Sequence, residues 1–387
     1  MRMSRRNTIR VATFNVENLF TRLAFPDAMP PEDNLVGAYQ FDNPEELKLA
    51  RRIVEAAASD DKRQLTALAL HACRADIVAL QEVDSKESLE VFYQRYVKRM
   101  IEPEAAAEKN ELRREARRAG RRPEDSDLFA VDRRHYYDWR VVLDGNDGRG
   151  IDVGVMSKVP IRVRTHAHRT FQELGVWNED LKNYRERING RERRLTQNDR
   201  LFRRDCLEID LEVGSRPLTL YVCHLKSMNP SRELTRPMRK AEALGIRRLI
   251  EDRFGRHARD ANWIICGDMN DFTEVDGLPL LDDTGKVAPH GLEPLFADGF
   301  SENIVRRREP DERWTTYHGP EDQYAQLDML LVSPALAKAN PDAVPDIIRM
   351  GQPYRARRYE GPRFPRIGWD RPKASDHCPV VVELAIP

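Results

Sequence analysis

The 387-residue chain has no net charge, with 64 basic against 64 acidic side chains. A whole-molecule field that draws in polyanions is thereby excluded, and any such attraction must come from local patches. It also lacks a run of roughly 18 apolar residues, the length a bilayer span requires. The five cysteines, Cys73, Cys206, Cys223, Cys266 and Cys378, are scattered, with no CxxC and no Cys/His zinc spacing. They read as small core residues of a reduced, cytoplasmic protein. The start, MRMSRRNTIRVATFNVENLF, has no continuous apolar core of a secretion signal and moves straight into a strand pattern. No internal repeat, Gly/Ser linker or GxGxxG cradle appears, so a single domain over residues 8–387 is expected.

What the chain does have is enough apolar material, 40% of residues, for a sizeable core. Short β-type runs recur: TIRVATFNV, ADIVALQEV, DWRVVL, GIDVGVMS, CLEIDLEV, LTLYVCHL, NWIICGD, QLDMLLVS and PVVVELAI. Apolar residues at helical spacing lie between them, over Glu45–Ala57, Lys62–Arg74, Leu89–Met100 and Glu233–Phe254. This alternation implies α/β layers. The short links DGNDGRG and GSRP join neighbouring strand runs as hairpins, which disfavours a purely parallel sheet.

Two polar stretches interrupt the pattern, at about 103–134 and 173–202. In the first, Arg113/Arg114, Arg117/Arg118 and Arg121/Arg122 repeat every four residues. That spacing stacks guanidinium groups on one helix face. It reads first as a solvated helix paired with Glu108, Glu111 and Glu115, and second as a nucleic-acid-binding arm. The second stretch, rich in Arg and Asn, reads as a long surface excursion.

Chemistry-bearing residues gather where strand runs end: FNVEN (Asn15, Glu17), LQEVD (Glu82), CHLKS (His224, Lys226), GDMND (Asp268, Asn270), QLDML (Asp328) and ASDHCPV (Asp376, His377). These are almost only the residue types that bind a hard divalent cation or move protons. Singly, each has an ordinary reading as a turn cap, a surface ion pair or a satisfied buried acid. Together, that reading must place polar groups at strand ends repeatedly by accident.

The ordered set FNVEN, LQEVD, CHLKS, GDMND, LDMLLVS and SDHCPVVVEL resembles the endonuclease/exonuclease/phosphatase superfamily, the deoxyribonuclease I-like fold, from Val11 to Leu384. The resemblance implies a four-layered α/β sandwich of two packed mixed β-sheets flanked by helices, with the active site at one end. Carried across by position, it implies Glu82 as the principal metal carboxylate, with Asn15 in the same shell or on the phosphate. Asp376 would be a further ligand or part of a second metal position. Asp268 would orient and deprotonate the attacking water, steadied by Asn270. His377, its ring fixed by Asp328, would contact the phosphoryl oxygens, and His224 would act on the leaving-group side. The implied cofactor is Mg²⁺ or Mn²⁺ and the implied substrate is nucleic acid, with a small phosphoester as the alternative. Glu17 and His224 replace the aspartate and tyrosine of abasic-site endonucleases, and the inositol-phosphatase signature around Asp328 is missing.

The chemistry explains the residue types. A phosphodiester is already anionic, so attack by water needs charge neutralisation, an aligned base and donors aimed at the developing charge. Asp268 and Asn270, two apart, project to one side if strand geometry continues. An acid beside His377 raises the imidazole pKa and favours its protonated form. Lys226, and Arg149 in the turn Asp144 to Asp152, are candidate substrate contacts. The stretch YRARRYEGPRFPRIGWDRPKASDH interleaves arginines with Tyr354, Tyr359, Phe364 and Trp369; a nucleic-acid lip and a surface loop packed on the core are equal readings of it. Three functions remain: a metal-dependent nuclease, a phosphatase or phospholipid/inositol phosphodiesterase of the same fold, and a non-catalytic binding module. Nothing in the sequence sets an oligomeric state.

Overall fold

A computed structural model describes residues 7–19, 60–147, 150–188 and 191–387. The helix expected over Glu45–Ala57 and the candidate contact Arg149 lie outside the described residues. The strands are β1 (Thr8–Leu19), β2 (Ile77–Val83), β3 (Trp139–Leu143), β4 (Asp152–Ser157), β5 (Ile161–Arg164), β6 (Arg185–Ile188), β7 (Arg191–Arg194), β8 (Cys206–Val213) and β9 (Arg216–His224). They continue with β10 (Trp263–Asp268), β11 (Glu274–Val275), β12 (Leu278–Pro279), β13 (Glu302–Asn303), β14 (Thr316–His318), β15 (Gln323–Ala325), β16 (Asp328–Val332), β17 (Asp346–Ile347) and β18 (Val380–Ala385). Every strand run read from the sequence forms a strand.

Two six-stranded sheets take twelve of them, in the orders β17-β18-β1-β2-β4-β3 and β13-β16-β10-β9-β8-β5, and the remainder form a four-stranded sheet, β12-β11-β15-β14, and the pair β6-β7. Both six-stranded sheets are mixed: β1 runs parallel to β2 but antiparallel to β18, and β10 parallel to β9 but antiparallel to β16. The two expected hairpins, β3–β4 and β8–β9, form.

Period-two alternation sends each strand's side chains to two apolar layers. Val11, Ile77, Ala79, Val155, Leu220, Val222, Ile264, Cys266, Leu330 and Val382 meet between the sheets. Their neighbours Ala12, Phe14, Val78 and Leu80 face outward, beneath Leu65 and Leu70 of the helix Asp60–Cys73 and Leu89 and Phe92 of the helix Lys86–Phe92. On the other side Tyr221, Cys223, Trp263, Ile265 and Leu331 pack beneath Met238, Ile246 and Ile250 of the helix Arg232–Phe254. Burying such side chains stabilises by about 1.5–3 kcal/mol each. The result is helix, sheet, sheet, helix.

Two readings change. The helix expected to stop at Met100 passes through a π-turn, Tyr93–Val97, and continues as Lys98–Arg118 across the first insertion. Gly120, at φ +66°, stops it: the Arg121 N–H returns to the Ala116 carbonyl at 2.9 Å. Arg121 and Arg122 therefore lie beyond the helix, and the four-residue repeat is cut. Glu108, expected to pair within its own helix, instead bonds Arg134 and His135 of the helix Asp125–His135. The segment 173–202 is not a surface excursion throughout. Leu174, Val176, Leu181, Leu195, Leu201 and Phe202 are buried in the layer over the helix Arg232–Phe254. These residues are too widely spaced among Arg and Asn to show a period.

Candidate active site

Sheet register assembles the polar groups before any side chain is considered. His224 ends β9, Asp268 ends β10 and Asp328 begins β16, and they stand side by side: His224 opposite Asp268, Asp268 opposite Asp328. The close approach of β9 and β10 requires Gly267. Its φ is +143°, and a Cβ there would lie 1.8 Å from the Cys223 carbonyl oxygen.

In the other sheet Asn15 lies opposite Gln81, and the register slips on either side of Glu82, between Asn15 and Leu19 and between Gln81 and Val83. Strict alternation would place Val83 between the sheets, yet it packs in the outer layer with Leu80. Glu82 is therefore the extra residue, and the bulge re-aims its carboxylate. Glu17, Asn18 and Glu82 have φ of +50°, +61° and +66°. Each left-handed non-glycine residue costs about 1–3 kcal/mol, so strain accumulates beside this carboxylate.

The two sheet ends meet at Asp268. Its Oδ2 accepts from Asn15 Nδ2 at 3.0 Å and lies 3.5 Å from His224 Nε2 and 3.8 Å from His377 Nε2. Asn15 Nδ2 also reaches Glu82 Oε1 at 3.3 Å, while its Oδ1 accepts the Glu17 N–H at 3.0 Å. His377 Nδ1 lies 2.8 Å from Asp328 Oδ2. The His377 N–H donates to Ser375 Oγ, which donates to the Asn15 carbonyl at 2.7 Å. Asn15, His224, Asp268, Asp328 and His377 are buried.

Strand geometry does not continue past Asp268. Asn270 has φ +47°, its N–H donates to Asp268 Oδ1 at 2.8 Å, and its Nδ2 donates to the Leu225 carbonyl at 3.1 Å. The carboxamide oxygen is thereby oriented by two anchored bonds instead of by a pleat. The turn's other carboxylate, Asp271, faces away into a buried lattice with Arg239 at 3.0 Å and Arg232 at 2.7 Å. Arg204 Nη1 shares the Leu225 carbonyl at 2.8 Å and its Nε lies 2.8 Å from Asp147, tying the Asp144-to-Asp152 turn to the same point. Glu242 accepts the Lys226 and Arg203 N–H groups at 2.6 and 3.0 Å. Lys226 thus leaves β9 on a fixed backbone two residues beyond His224.

The charges do not balance locally. Burial pushes the Glu82 carboxyl up, and the neighbouring charges of Asp376 and Asp268 push it further. For His377, burial opposes the imidazolium, but Asp328 and Asp268 outweigh it and hold its pKa well above the ordinary value. Asp376 resists its burial because Lys373, His377 and Lys62 hold its carboxyl down at about 2. Lys62, Lys373 and Arg371 also surround Glu17, at 3.2, 3.6 and 3.7 Å.

Every sequence-derived residue that is described, from Asn15 to His377, comes to this end of the sandwich. Sequence reading missed Ser375, Gln352, whose Nε2 clamps the Ser375 and His377 carbonyls at 3.1 Å each, and Thr315, which accepts the Asp328 N–H at 3.0 Å. Ser375 lies inside the quoted stretch ASDHCPV and was findable; Gln352 and Thr315 carry no local signal.

The model of the Endonuclease/Exonuclease/phosphatase family matches residues 12–377. No curated protein sequence matches the chain. Among solved structures, SmcL aligns with a TM-score of 0.50 at 14% identity, over 98% of this chain and 99% of its own. A truncated TDP2 from Caenorhabditis elegans aligns at 0.45 and 14%, over 98% of each chain. An endonuclease/exonuclease/phosphatase from Beutenbergia cavernae DSM 12333 aligns at 0.46 and 15%, over 99% of this chain and 72% of its own. With a family match over nearly its whole length, the chain belongs to the Endonuclease/Exonuclease/phosphatase family and is a phosphoesterase.

Proposed function

We propose that the protein is a divalent-metal-dependent phosphodiester hydrolase acting on nucleic acid by in-line attack of an activated water. The observation that carries this reading is the Asp268 carboxylate, held by Asn15 and flanked by His224 and His377. In this reading Asp268 takes the proton of a water that the Asn270 carboxamide positions. His377, kept cationic by Asp328, stabilises charge developing on the phosphoryl oxygens, and His224 serves the leaving oxygen. Lys226 and Arg149 are proposed to contact the substrate.

The residues fit Mg²⁺ or Mn²⁺. Glu82 and Asp376, both half-buried, offer hard oxygen donors, and their mutual repulsion with the buried Asp268 favours a cation between them. Among the described residues no three of His, Cys, Asp and Glu form a ready-made cage. Mg²⁺ typically keeps several waters and takes one or two carboxylates. As arranged, Asn15 turns its amide nitrogen to this space, so it acts as the donor that spaces Glu82 from Asp268. When bound, the ion would supply neutralisation of the phosphate and polarisation of its oxygens. Among the described residues no helix is long and apolar enough to cross a membrane. The five unpaired, buried thiols support a reducing compartment, the cytoplasm.

The test is incubation with plasmid, single-stranded DNA, RNA and inositol phosphates in Mg²⁺, with and without chelator, beside Asp268→Ala. Cleavage of nucleic acid that is lost with chelator and in the variant is expected. Turnover confined to the small phosphoesters would replace the nuclease reading with a phosphatase. Equal inertness of both proteins on all four would end the proposal.

A further inference from the structure

The loop between β17 and β18 sorts its aromatic residues into two kinds. Phe364 is buried and Tyr359 packs partly against the core, whereas Tyr354 and Trp369 are 51% and 55% exposed. The Tyr354 N–H donates to the Gly368 carbonyl at 3.0 Å and the Arg355 N–H to the Trp369 carbonyl at 2.9 Å. The two exposed rings therefore rise from adjacent stretches of backbone. One face of each is covered by a guanidinium: Arg363 lies 4.7 Å from the Tyr354 centroid and Arg357 lies 5.6 Å from that of Trp369. Arg363 is itself pinned to the Gln352 and Ala356 carbonyls at 3.1 and 2.9 Å. Each of the two residues keeps about half of its surface in water.

The place of this pair is as specific as its construction. Trp369 precedes Arg371 by two residues, about 7 Å of chain at most, and Arg371 and Lys373 reach Glu17 at the edge of the carboxylate cluster. The same loop then delivers Asp376 and His377.

Resting on the nucleic-acid reading above, we propose that Trp369 and Tyr354 form a stacking platform for unpaired nucleobases of a strand whose phosphate enters the Asp268 site. An exposed ring backed by a cation offers a base π-face both area and dispersion. Duplex bases have their faces covered by neighbours, so the ligand is a single strand or a frayed end. Arg371 and Lys373 meet the adjoining phosphates.

The experiment measures kcat and KM in Mg²⁺ for single-stranded DNA, single-stranded RNA, duplex DNA and bis(p-nitrophenyl) phosphate, for wild type, Trp369→Ala, Trp369→Phe and Tyr354→Ala. Binding of the strands in excess chelator, and of anionic phosphatidylserine vesicles, is measured alongside. Loss of one stack is expected to raise the single-strand KM about tenfold, with kcat and turnover of the small diester unchanged and Trp369→Phe close to wild type. The proposal is overturned if Trp369→Ala leaves single-strand KM and affinity unchanged, or if it slows the small diester equally. It is also overturned if duplex affinity falls as much, or if the variant loses only vesicle binding. Should wild type hydrolyse nothing, the chelator arm still decides: single-strand binding weakened by Trp369→Ala upholds the platform while the hydrolase reading fails.

Discussion

Single side chains divide into those that hold charge for chemistry and those that hold it for stability. Asp328 belongs to the first kind. Its ion pair keeps His377 protonated through neutral pH, so Asp328→Asn lowers the imidazole pKa. The alkaline limb of the kcat/KM profile is expected to move acid by about one unit or more. A raised folded-state pKa contributes stability fully present below about 6.5 and lost as pH rises through the folded value. The destabilisation of Asp328→Asn in urea melts should therefore be largest just below pH 6.5, shrinking as pH rises above it and also at acid pH, because burial pushes the Asp328 carboxyl up and its protonation breaks the pair. Glu208 is of the second kind. Burial raises its carboxyl, but His166, Arg253 and Arg164 together hold it below the ordinary range. Its contribution is present above the usual carboxylate pKa and fades as pH falls through the depressed folded value. Glu208→Gln is expected to cost about 2 kcal/mol at pH 7, with the gap to wild type closing below pH 4 in the same melts. At this scale Asp268, His377 and Glu82 were legible because acids and histidines at strand ends are costly without a task. Gln352 and Thr315 were not, since a glutamine or threonine in a loop costs nothing by itself.

Elements carry the site through register. Gly267→Ala would set a methyl group against the Cys223 carbonyl and demand a left-handed alanine. We expect a loss of about 3 kcal/mol or more, read by thermal melts, with hydrolysis falling further than stability explains because Asp268 rides on the same strand. The helix Arg232–Phe254 starts at Ser231, whose Oγ accepts the Leu234 N–H at 3.2 Å. Ser231→Ala is expected to cost about 1 kcal/mol without changing KM, a control that separates global stability from positioning. Strands were readable because burial on both faces of a sheet leaves short continuous apolar runs, as in β10 and β16. The bulge at Glu82 was not readable: an extra residue leaves no trace in composition, and only the slipped register and the outward turn of Val83 reveal it.

Across the whole molecule, net neutrality leaves local geometry to decide where a polyanion goes. The exposed arginines Arg113, Arg114, Arg117 and Arg118 lie on the helix Lys98–Arg118, whose few buried residues are Ile101, Ala105 and Ala116. Replacing all four with glutamine is expected to leave single-strand affinity and its slope against log salt concentration unchanged, whereas phosphate contacts would lower that slope by about 0.7 per arginine lost. Equilibrium binding across a salt series checks it. By itself the sequence determined the layered α/β class, nine of the eighteen described strands with two of the hairpins, and the set of acids, amides and histidines able to do phosphoester chemistry. Alternation and residue type are local properties, and local properties are written in the chain. Only the tertiary structure decided that Asp271 turns away to Arg239 while Asp268 turns in, that Asn15 offers nitrogen rather than oxygen, and that 173–202 covers a helix. Each of those depends on which distant partner satisfies a buried polar or apolar group, and that choice exists only once the two sheets have closed on one another.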